Sequence, residues 1–441
     1  MNPSLTLAGL LALCVLTTGG HLGAAEVPVA DAGQLRSAAA AARPGDVLVM
    51  KDGTWTDVDL VFPAKGSKEA PITLRAATPG AVVISGNSSL RIAGSHLTVD
   101  GLWFKDAFPT KNDVVSFRLD AKNLASHCRL THCVVTESEG VGDGRERKWV
   151  SLYGRNHAVD HCHFVGKTGK GTLMVVWLDG ATASHVIEAN YFGKRVKLGK
   201  NGGEILRVGD SDTSMQNARC RVVGNLFEEC SGEVEVISNK SCENLYDGNV
   251  FRNCQGTLTL RHGDRCYVEG NAFFGNGRAH TGGIRIIGEA HQVIGNYLEK
   301  LEGTEARAAI CLMNGIENSP ANGYFQVKDA LVKGNYINQC RESINIGYAD
   351  KDVKAAMQPQ SSVLADNVIY SENRIVTLQG TGAGVRWSSG KVGGAELGYA
   401  GPVVPVQAQE VSYEAWLKAT GRKPLDEGSV GASWMKRIPS S

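Results

Sequence analysis

Glycine followed by asparagine and then two apolar residues recurs through the middle of the chain, and nothing else in the sequence restricts the fold as severely. The copies are Gly224-Asn225-Leu226-Phe227, Gly248-Asn249-Val250-Phe251, Gly270-Asn271-Ala272-Phe273, Gly295-Asn296-Tyr297-Leu298 and Gly334-Asn335-Tyr336-Ile337. Looser copies stand at Ala189-Asn190 and Asp366-Asn367, and cysteine takes the asparagine slot at Cys133 and Cys162. Steps between successive slots run 29, 28, 35, 24, 22, 25, 39 and 32 residues. A period in the twenties to thirties, built from short β-branched runs and glycine turns without helical spacing, marks a solenoid. The expected fold is therefore all-β: a right-handed parallel β-helix whose stacked turns carry like side chains in internal ladders. Propeller blades need more even repeats of about 40 residues. The uneven steps argue against them.

The cysteines keep the same register. Cys230, Cys254 and Cys340 each follow a slot asparagine by five residues, and Cys220 and Cys266 each precede one by five. Interior thiols behave as small apolar groups, and stacked neighbours are poorly placed for an unstrained bridge. Mostly free, buried thiols are expected, and no CxxC pair suggests zinc. Lys+Arg 46 against Asp+Glu 45 leaves a net charge of +1, so no basic field exists for coating nucleic acid. Gly 53 with Pro 13 and no G-X-Y period excludes collagen and indicates many turns.

The ends read differently from the middle. Residues 5–16 form an apolar run, then Thr17-Thr18-Gly19-Gly20 and Gly23-Ala24-Ala25 supply small residues before Glu26. That pattern is an export signal, too short for a comfortable membrane span. It lacks Lys or Arg before the run, and Leu13 before Cys14 disfavours a lipid anchor; a buried N-terminal helix is the alternative. No later stretch reaches about 18 continuous apolar residues. A soluble, monomeric protein, periplasmic or secreted, with no membrane or nucleic-acid partner, is expected. Asp31 can cap a helix through Gln34-Leu35-Arg36 and the alanines up to Ala42, ended by Pro44-Gly45. Such a helix would cover the first turn's open strand edges. The expected division is residues 1–25 signal, 26–46 helical cap, 47–376 β-helix, and 377–441 an irregular C-terminal cap and tail. A short helix is expected from Ser412 to Thr420.

Chemistry gathers around Gly232-Glu233-Val234-Glu235-Val236-Ile237. Read as a strand with Val234 and Val236 inward, the segment turns Glu233 and Glu235 outward side by side. Two carboxylates so placed can share a hard cation such as Ca²⁺, whereas an isolated pair is more often a solvated strand face. The neighbouring turns favour a site. Counted from the slot asparagine, Thr257 and Thr259 match the two acids, and Arg261 follows on the same face. Arg285 between Ile284 and Ile286, and Arg207 between Leu206 and Val208, alternate in the same way. The expected stripe is Arg207, Glu233, Glu235, Arg261 and Arg285, with Lys240 at the turn after the acids. It suits an anionic polymer lying across the turns; a surface salt-bridge network is the other reading.

Asn201-Gly202-Gly203-Glu204, Glu233-Val234-Glu235, Ser238-Asn239-Lys240 and Leu260-Arg261-His262-Gly263 resemble the signature segments of polysaccharide lyase family six, which comprises alginate lyases and chondroitinase B-like enzymes. The resemblance spans roughly residues 30 to 400. It implies a right-handed parallel β-helix that cleaves uronate polysaccharides by elimination, usually with calcium. It further implies calcium ligation by Asn201, Glu233 and Glu235, a base role for Lys240 and an acid role for Arg261. Substrate contacts are implied for Arg207, His262, Arg285 and Tyr324, with Glu204 and Tyr153 as neighbours. An arginine holds its proton too tightly to be an easy donor, so charge stabilisation of the leaving oxygen is the physical reading of Arg261. His262 also fits a structural turn histidine beside Gly263.

The expected activity is calcium-assisted β-elimination on an anionic polysaccharide, alginate first and dermatan sulfate as the alternative. A glycoside hydrolase needs one protonated carboxyl, whereas both acids here, beside lysine and arginine, should be ionised. A non-catalytic carbohydrate-binding solenoid would not require Lys240 beside Arg261.

Overall fold

The computed structural model describes residues 24–140, 144–199, 201–351 and 353–436; the apolar run of the expected export signal lies outside the described residues. Three parallel sheets, two of 14 strands and one of 13, wind along the molecule. In a representative coil Arg221–Val223 lies in the first sheet, Leu226–Glu228 in the second and Glu235–Lys240 in the third, before Leu245–Asp247 returns to the first. Each strand pairs in parallel with its counterpart one coil on, as from Arg221↔Leu245 and Leu226↔Val250. This is the expected parallel β-helix.

The repeat's logic is visible at the corner between the first two sheets. Gly224 has φ 60° and Gly248 φ 63°, the left-handed conformation that glycine adopts without a Cβ clash. The turn so made points the next residue, asparagine, into the core. Asn190, Asn225, Asn249, Asn271, Asn296, Asn335 and Asn367 then form one ladder. The backbone N–H and Nδ2 of Asn225 both donate to Oδ1 of Asn249, at 3.0 and 2.9 Å. Asn249 donates to Asn271 in the same way, at 3.0 and 2.9 Å. The ladder residues are fully buried, so each hydrogen bond replaces one that water would otherwise supply.

Both residues after the asparagine are apolar for separate reasons. The second points inward: Phe164, Phe192, Phe227, Phe251 and Phe273 stack with centroids 5.2, 4.7, 4.7 and 4.4 Å apart. The first points outward, yet Leu226, Val250, Ala272 and Tyr297 are buried under Trp416 and Val430. A sheet covered on both faces loses polar alternation. The ten described cysteines are all free and buried, as expected.

At the start, helix α1, Ala32–Ala41, is capped by Asp31, whose carboxylate accepts from the Gln34 N–H at 2.8 Å. It buries Leu35 and Ala39 in the core. A strand, Glu26–Val29, precedes it and pairs with Val47–Met50, so the coil begins before the helix and not at residue 47. At the other end the ladders continue past 376 through Val385–Trp387, Gly390–Gly394 and Val404–Pro405. Glycine-rich strands lack the apolar alternation that announces a strand, but backbone pairing does not require it. Leu397 and Tyr399 then pack against the core.

The last segment runs back along the outside of the coil. Helix α2, Tyr413–Thr420, is capped by Ser412 and its Trp416 Nε1 donates to the Gly295 carbonyl at 2.8 Å. Farther on, Arg422 pairs with Asp247 at 2.8 Å, and Trp434 Nε1 reaches the His132 carbonyl at 2.8 Å. This strap closes the apolar stripe on the second sheet and leaves the third sheet open. The open face carries the site.

Asn249→Ala should remove the acceptor that serves both donors of Asn225. Leaving buried donors unmatched costs roughly 1–3 kcal/mol each, so urea unfolding should show a loss of about 3 kcal/mol with the slope unchanged.

Candidate active site

The third sheet sets its outward residues in columns. Arg207, Ser238, Thr259 and Arg285 are successive register partners, while Leu206, Ile237, Leu258 and Ile284 run inward beside them. Irregularities lie at both ends of the strand Glu235–Lys240: the register shifts between Glu235 and Ile237 and again between Asn239 and Lys240. Glu235 therefore pairs with Thr257, and Ser238 with Thr259. Counting from the asparagine had matched Glu233 with Thr257 and Glu235 with Thr259; the observed pairing of Glu235 with Thr257 shifts that match by two positions. Val234 is not inward either. It is half-buried and lines the cleft, and the strand starts only at Glu235.

The cleft is a cavity of about 680 Å³ lined by Asn201, Arg207, Glu233, Glu235, Lys240, Arg261, Arg285 and Tyr324 among others. Eight of the nine expected site residues thus meet in one place. His262 is the ninth, and it stands behind the wall, 1% exposed. Its Nε2 accepts from Arg261 Nη1 at 2.8 Å. Burial, then the charges of Arg261 and Lys240, push its pKa down to about 3, so the ring is neutral and steadies the arginine from below.

Arg261 is held from several sides. Its Nη1 donates to the Gly323 carbonyl and its Nη2 to the Asn322 carbonyl at 3.2 Å. The guanidinium lies 4.1 Å from the centroid of the Tyr324 ring, a cation–π arrangement. Tyr324 is itself fixed by its hydroxyl, which donates to Asp350 at 2.8 Å, as the Tyr348 hydroxyl does at 3.0 Å. Sequence reading missed Asp350 and Tyr348, since no spacing ties them to Arg261.

Two of the acids meet where neighbouring coils come into contact. Gly203 and Gly232 allow two coils to touch: a Cβ on Gly203 would stand 2.5 Å from the Gly232 carbonyl carbon. That contact brings Glu204 and Glu233 together. Arg195, buried beneath them, donates to the carbonyls of Glu204, Gly171 and Gly202, each at 2.9 Å. Glu204 accepts from Thr172 at 2.8 Å. Glu233 is held less fully: the Gly203 N–H and the charge of Arg195 favour its ionised form, but among the described residues its buried Oε2 has no hydrogen-bond partner. Burial first, then the carboxylates of Glu204 and Glu235, push its pKa up to about 8. Glu233 therefore holds its proton more tightly than an ordinary carboxylate when no cation is beside it.

Glu235 is ion-paired with Arg285 and lies 3.9 Å from Arg261 Nε. Arg285 is buried and committed to that carboxylate. Lys240 is different. Among the described residues its ammonium has no hydrogen bond or ion pair, and it is only half-buried at the cleft. Among the described residues no three His, Cys, Asp or Glu side chains form a metal cluster by themselves. An orphaned carboxylate oxygen beside a second acid and the exposed amide of Asn201 nonetheless fits a hard cation completed by substrate or water.

The family model for Chondroitinase B matches residues 29–386. The PL6 family alginate lyase AlyGC is similar at 35% identity and TM-score 0.87, over 94% of this chain and 59% of that one. A mannuronic acid specific family 6 lyase from human gut microbiota is 28% identical, with TM-score 0.81 over 93% of this chain and 97% of its own. Pedsa3628, a PL6 family polysaccharide lyase from Pseudopedobacter saltans, is 26% identical with TM-score 0.73, over 93% and 100% of the two chains. No curated protein matches this sequence. The chain belongs to the Chondroitinase B family, polysaccharide lyase family six.

The buried histidine has a measurable consequence. In the unfolded chain His262 takes a proton near pH 6.5, in the folded protein only near 3. Between those values the unfolded state binds more protons, so stability is full above about pH 6.5 and falls as the pH drops towards 3. His262→Gln should lessen the decline in urea midpoint measured from pH 7 to pH 4.

Proposed function

We propose that this protein cleaves alginate by β-elimination, with Lys240 as base, Arg261 stabilising the leaving oxygen, and calcium held by Asn201, Glu233 and Glu235. One observation carries the reading: an amine and a carboxylate oxygen without partners among the described residues line the same cleft as a clamped guanidinium. The alginate assignment draws on AlyGC and the mannuronate-specific relative. A chondroitinase B-like reading on dermatan sulfate keeps the same residues and draws on the matching family model.

The elimination breaks the C5–H and C4–O bonds and leaves a C4=C5 double bond. Bound by Asn201, Glu233 and Glu235, calcium would neutralise the uronate carboxylate and ease the build-up of negative charge next to C5. Lys240, as the free amine, takes the C5 proton. Arg261, held by Gly323, Asn322 and His262, meets the charge that grows on the departing glycosidic oxygen. Because its guanidinium keeps its proton, the proton reaches that oxygen from water. Arg207 and Tyr324 flank the cleft and orient the chain, and Arg285 acts through Glu235. We further propose that residues 1–25 direct export, which would bring the enzyme to a polymeric substrate outside the cytoplasm.

Lys240→Ala should cut turnover by about 10²–10⁴-fold, the usual scale of a general base, read as unsaturated product at ultraviolet wavelengths. Polymer affinity should barely change. Near-normal product formation in that variant would remove lysine from the mechanism.

Calcium should raise the thermal midpoint of the wild type, since ligand binding stabilises the folded state. Glu233→Gln should abolish that rise. Full activity in excess chelator, with no calcium-dependent midpoint shift, would dismiss the metal.

A further inference from the structure

The third sheet bears a second cavity, of about 320 Å³, on coils nearer the N-terminus than the cleft. Glu146 lines both cavities, so they adjoin. The second one differs in charge: five basic side chains face three acidic ones. A polymer of carboxylates leaving the cleft in this direction meets a net positive surface.

Between the cavities runs a row of alternating cations and rings. The Arg118 guanidinium lies 3.6 Å from the centroid of the Tyr153 ring. Tyr153 and Trp177 stack at 5.7 Å with 6° between their planes. Arg207 closes the row, 5.1 Å from the Trp177 ring. The indole is itself fixed, since its Nε1 donates to Ser151 Oγ at 3.2 Å and Ser151 donates to Asp113 at 2.6 Å. Each ring has neighbours on both faces, which leaves no open face for a sugar to stack on.

The row's consequence therefore falls on the guanidiniums. Stacking on a ring fixes an arginine's plane while leaving its edge N–H groups available to a carboxylate. Among the described residues Arg118 has no hydrogen bond or ion pair through its guanidinium, whereas Arg91 beside it is spent on Asp59 at 2.6 Å. Ser116, Ser151, Val175 and Arg207 are successive register partners. Three strand steps thus separate the coil of Arg118 from that of Arg207, about 14 Å at the spacing of paired strands.

We propose that Arg118 is a carboxylate-binding subsite for a uronate unit remote from the bond that is cleaved. The row from Arg118 through Tyr153 and Trp177 to Arg207 aligns the chain across the coils. This deepens the reading of the cleft as a uronate lyase site and rests on it.

The test measures calorimetric binding of alginate trimer and octamer to the Lys240→Ala protein, which should hold substrate without consuming it. The octamer should bind more tightly than the trimer. Adding Arg118→Ala should weaken octamer binding about tenfold, the scale of one charge-assisted hydrogen bond, with much less effect on the trimer. Arg118→Lys keeps the charge without the planar fork and should recover part of the loss. It also serves if the alanine variant fails to fold. Lys122→Ala removes an equal charge from an exposed turn outside both cavities and should shift neither affinity. Equal losses for both lengths, no loss for the octamer, or an equal loss with Lys122→Ala would overturn the subsite. Wild-type protein that binds by length through Arg118 yet forms no unsaturated product would overturn the lyase reading and keep the subsite. Product formation with octamer affinity indifferent to Arg118 would do the reverse.

Discussion

From Asn190 to Asn367 the asparagine ladder fixes where each coil must turn. Each rung gives both its backbone N–H and its side-chain amide to the next asparagine, so a coil whose asparagine is out of register leaves two buried donors unmatched. The corner between the first and second sheets therefore keeps its length along the ladder, two residues at Gly224-Asn225 and at Gly248-Asn249, whereas before the ladder it runs to five residues between Ile72–Ala76 and Val82–Gly86. Uneven repeat lengths have to be absorbed elsewhere, and they collect around the third sheet. The segment between Ile310–Met313 and Leu331–Lys333 is the clearest case. It carries Asn322, Gly323 and Tyr324, the groups that hold Arg261. Regularity on one side of the coil thus concentrates variation, and with it chemistry, on the other.

The electrostatics of the acidic wall follow from the same stacking. Paired glycines let coils approach until Glu204 and Glu233 share a small volume. Arg195 lies beneath, but its hydrogen bonds go to backbone carbonyls and not to the carboxylates. It supports the shape of the wall and offsets its negative charge only in part. Glu233 then bears a desolvation cost that Arg195 and the Gly203 N–H offset only in part, which is the state expected of a ligand whose partner is a cation.

How much of this could be read in the sequence differs from residue to residue. The Gly-Asn pairs announced the coil because a left-handed corner and a buried amide demand those two residue types. The capping helix was legible for a similar reason: Asp31 and the alanine run obey local rules. The register of Glu233 and Glu235 was not, because a bulge adds a residue without leaving a compositional mark. The C-terminal strap was hidden too. Its partners lie far away in the chain, as with Trp434 and His132, and only the apolar outward residues of the repeat hinted that something covers them. His262 fell between the readings, adjacent to the site in sequence yet behind it in space.

Arg261 and Arg285 show why position along one stripe does not decide a role. Both line the cleft, but Arg285 is buried against the Glu235 carboxylate and its charge is matched there. Arg261 is gripped by two carbonyl oxygens, a neutral imidazole and the face of a ring, with Glu235 only at 3.9 Å. Neutral acceptors fix a guanidinium without cancelling its charge. That keeps the positive charge of Arg261 available in the cleft, in a geometry set before substrate arrives, and preorganisation of this kind spares the reorganisation that water would require when charge develops. The neutral state of His262 is part of the arrangement. A protonated imidazole could not accept from Arg261 and would repel it, so the burial that makes the ring a poor acid also makes it a useful support.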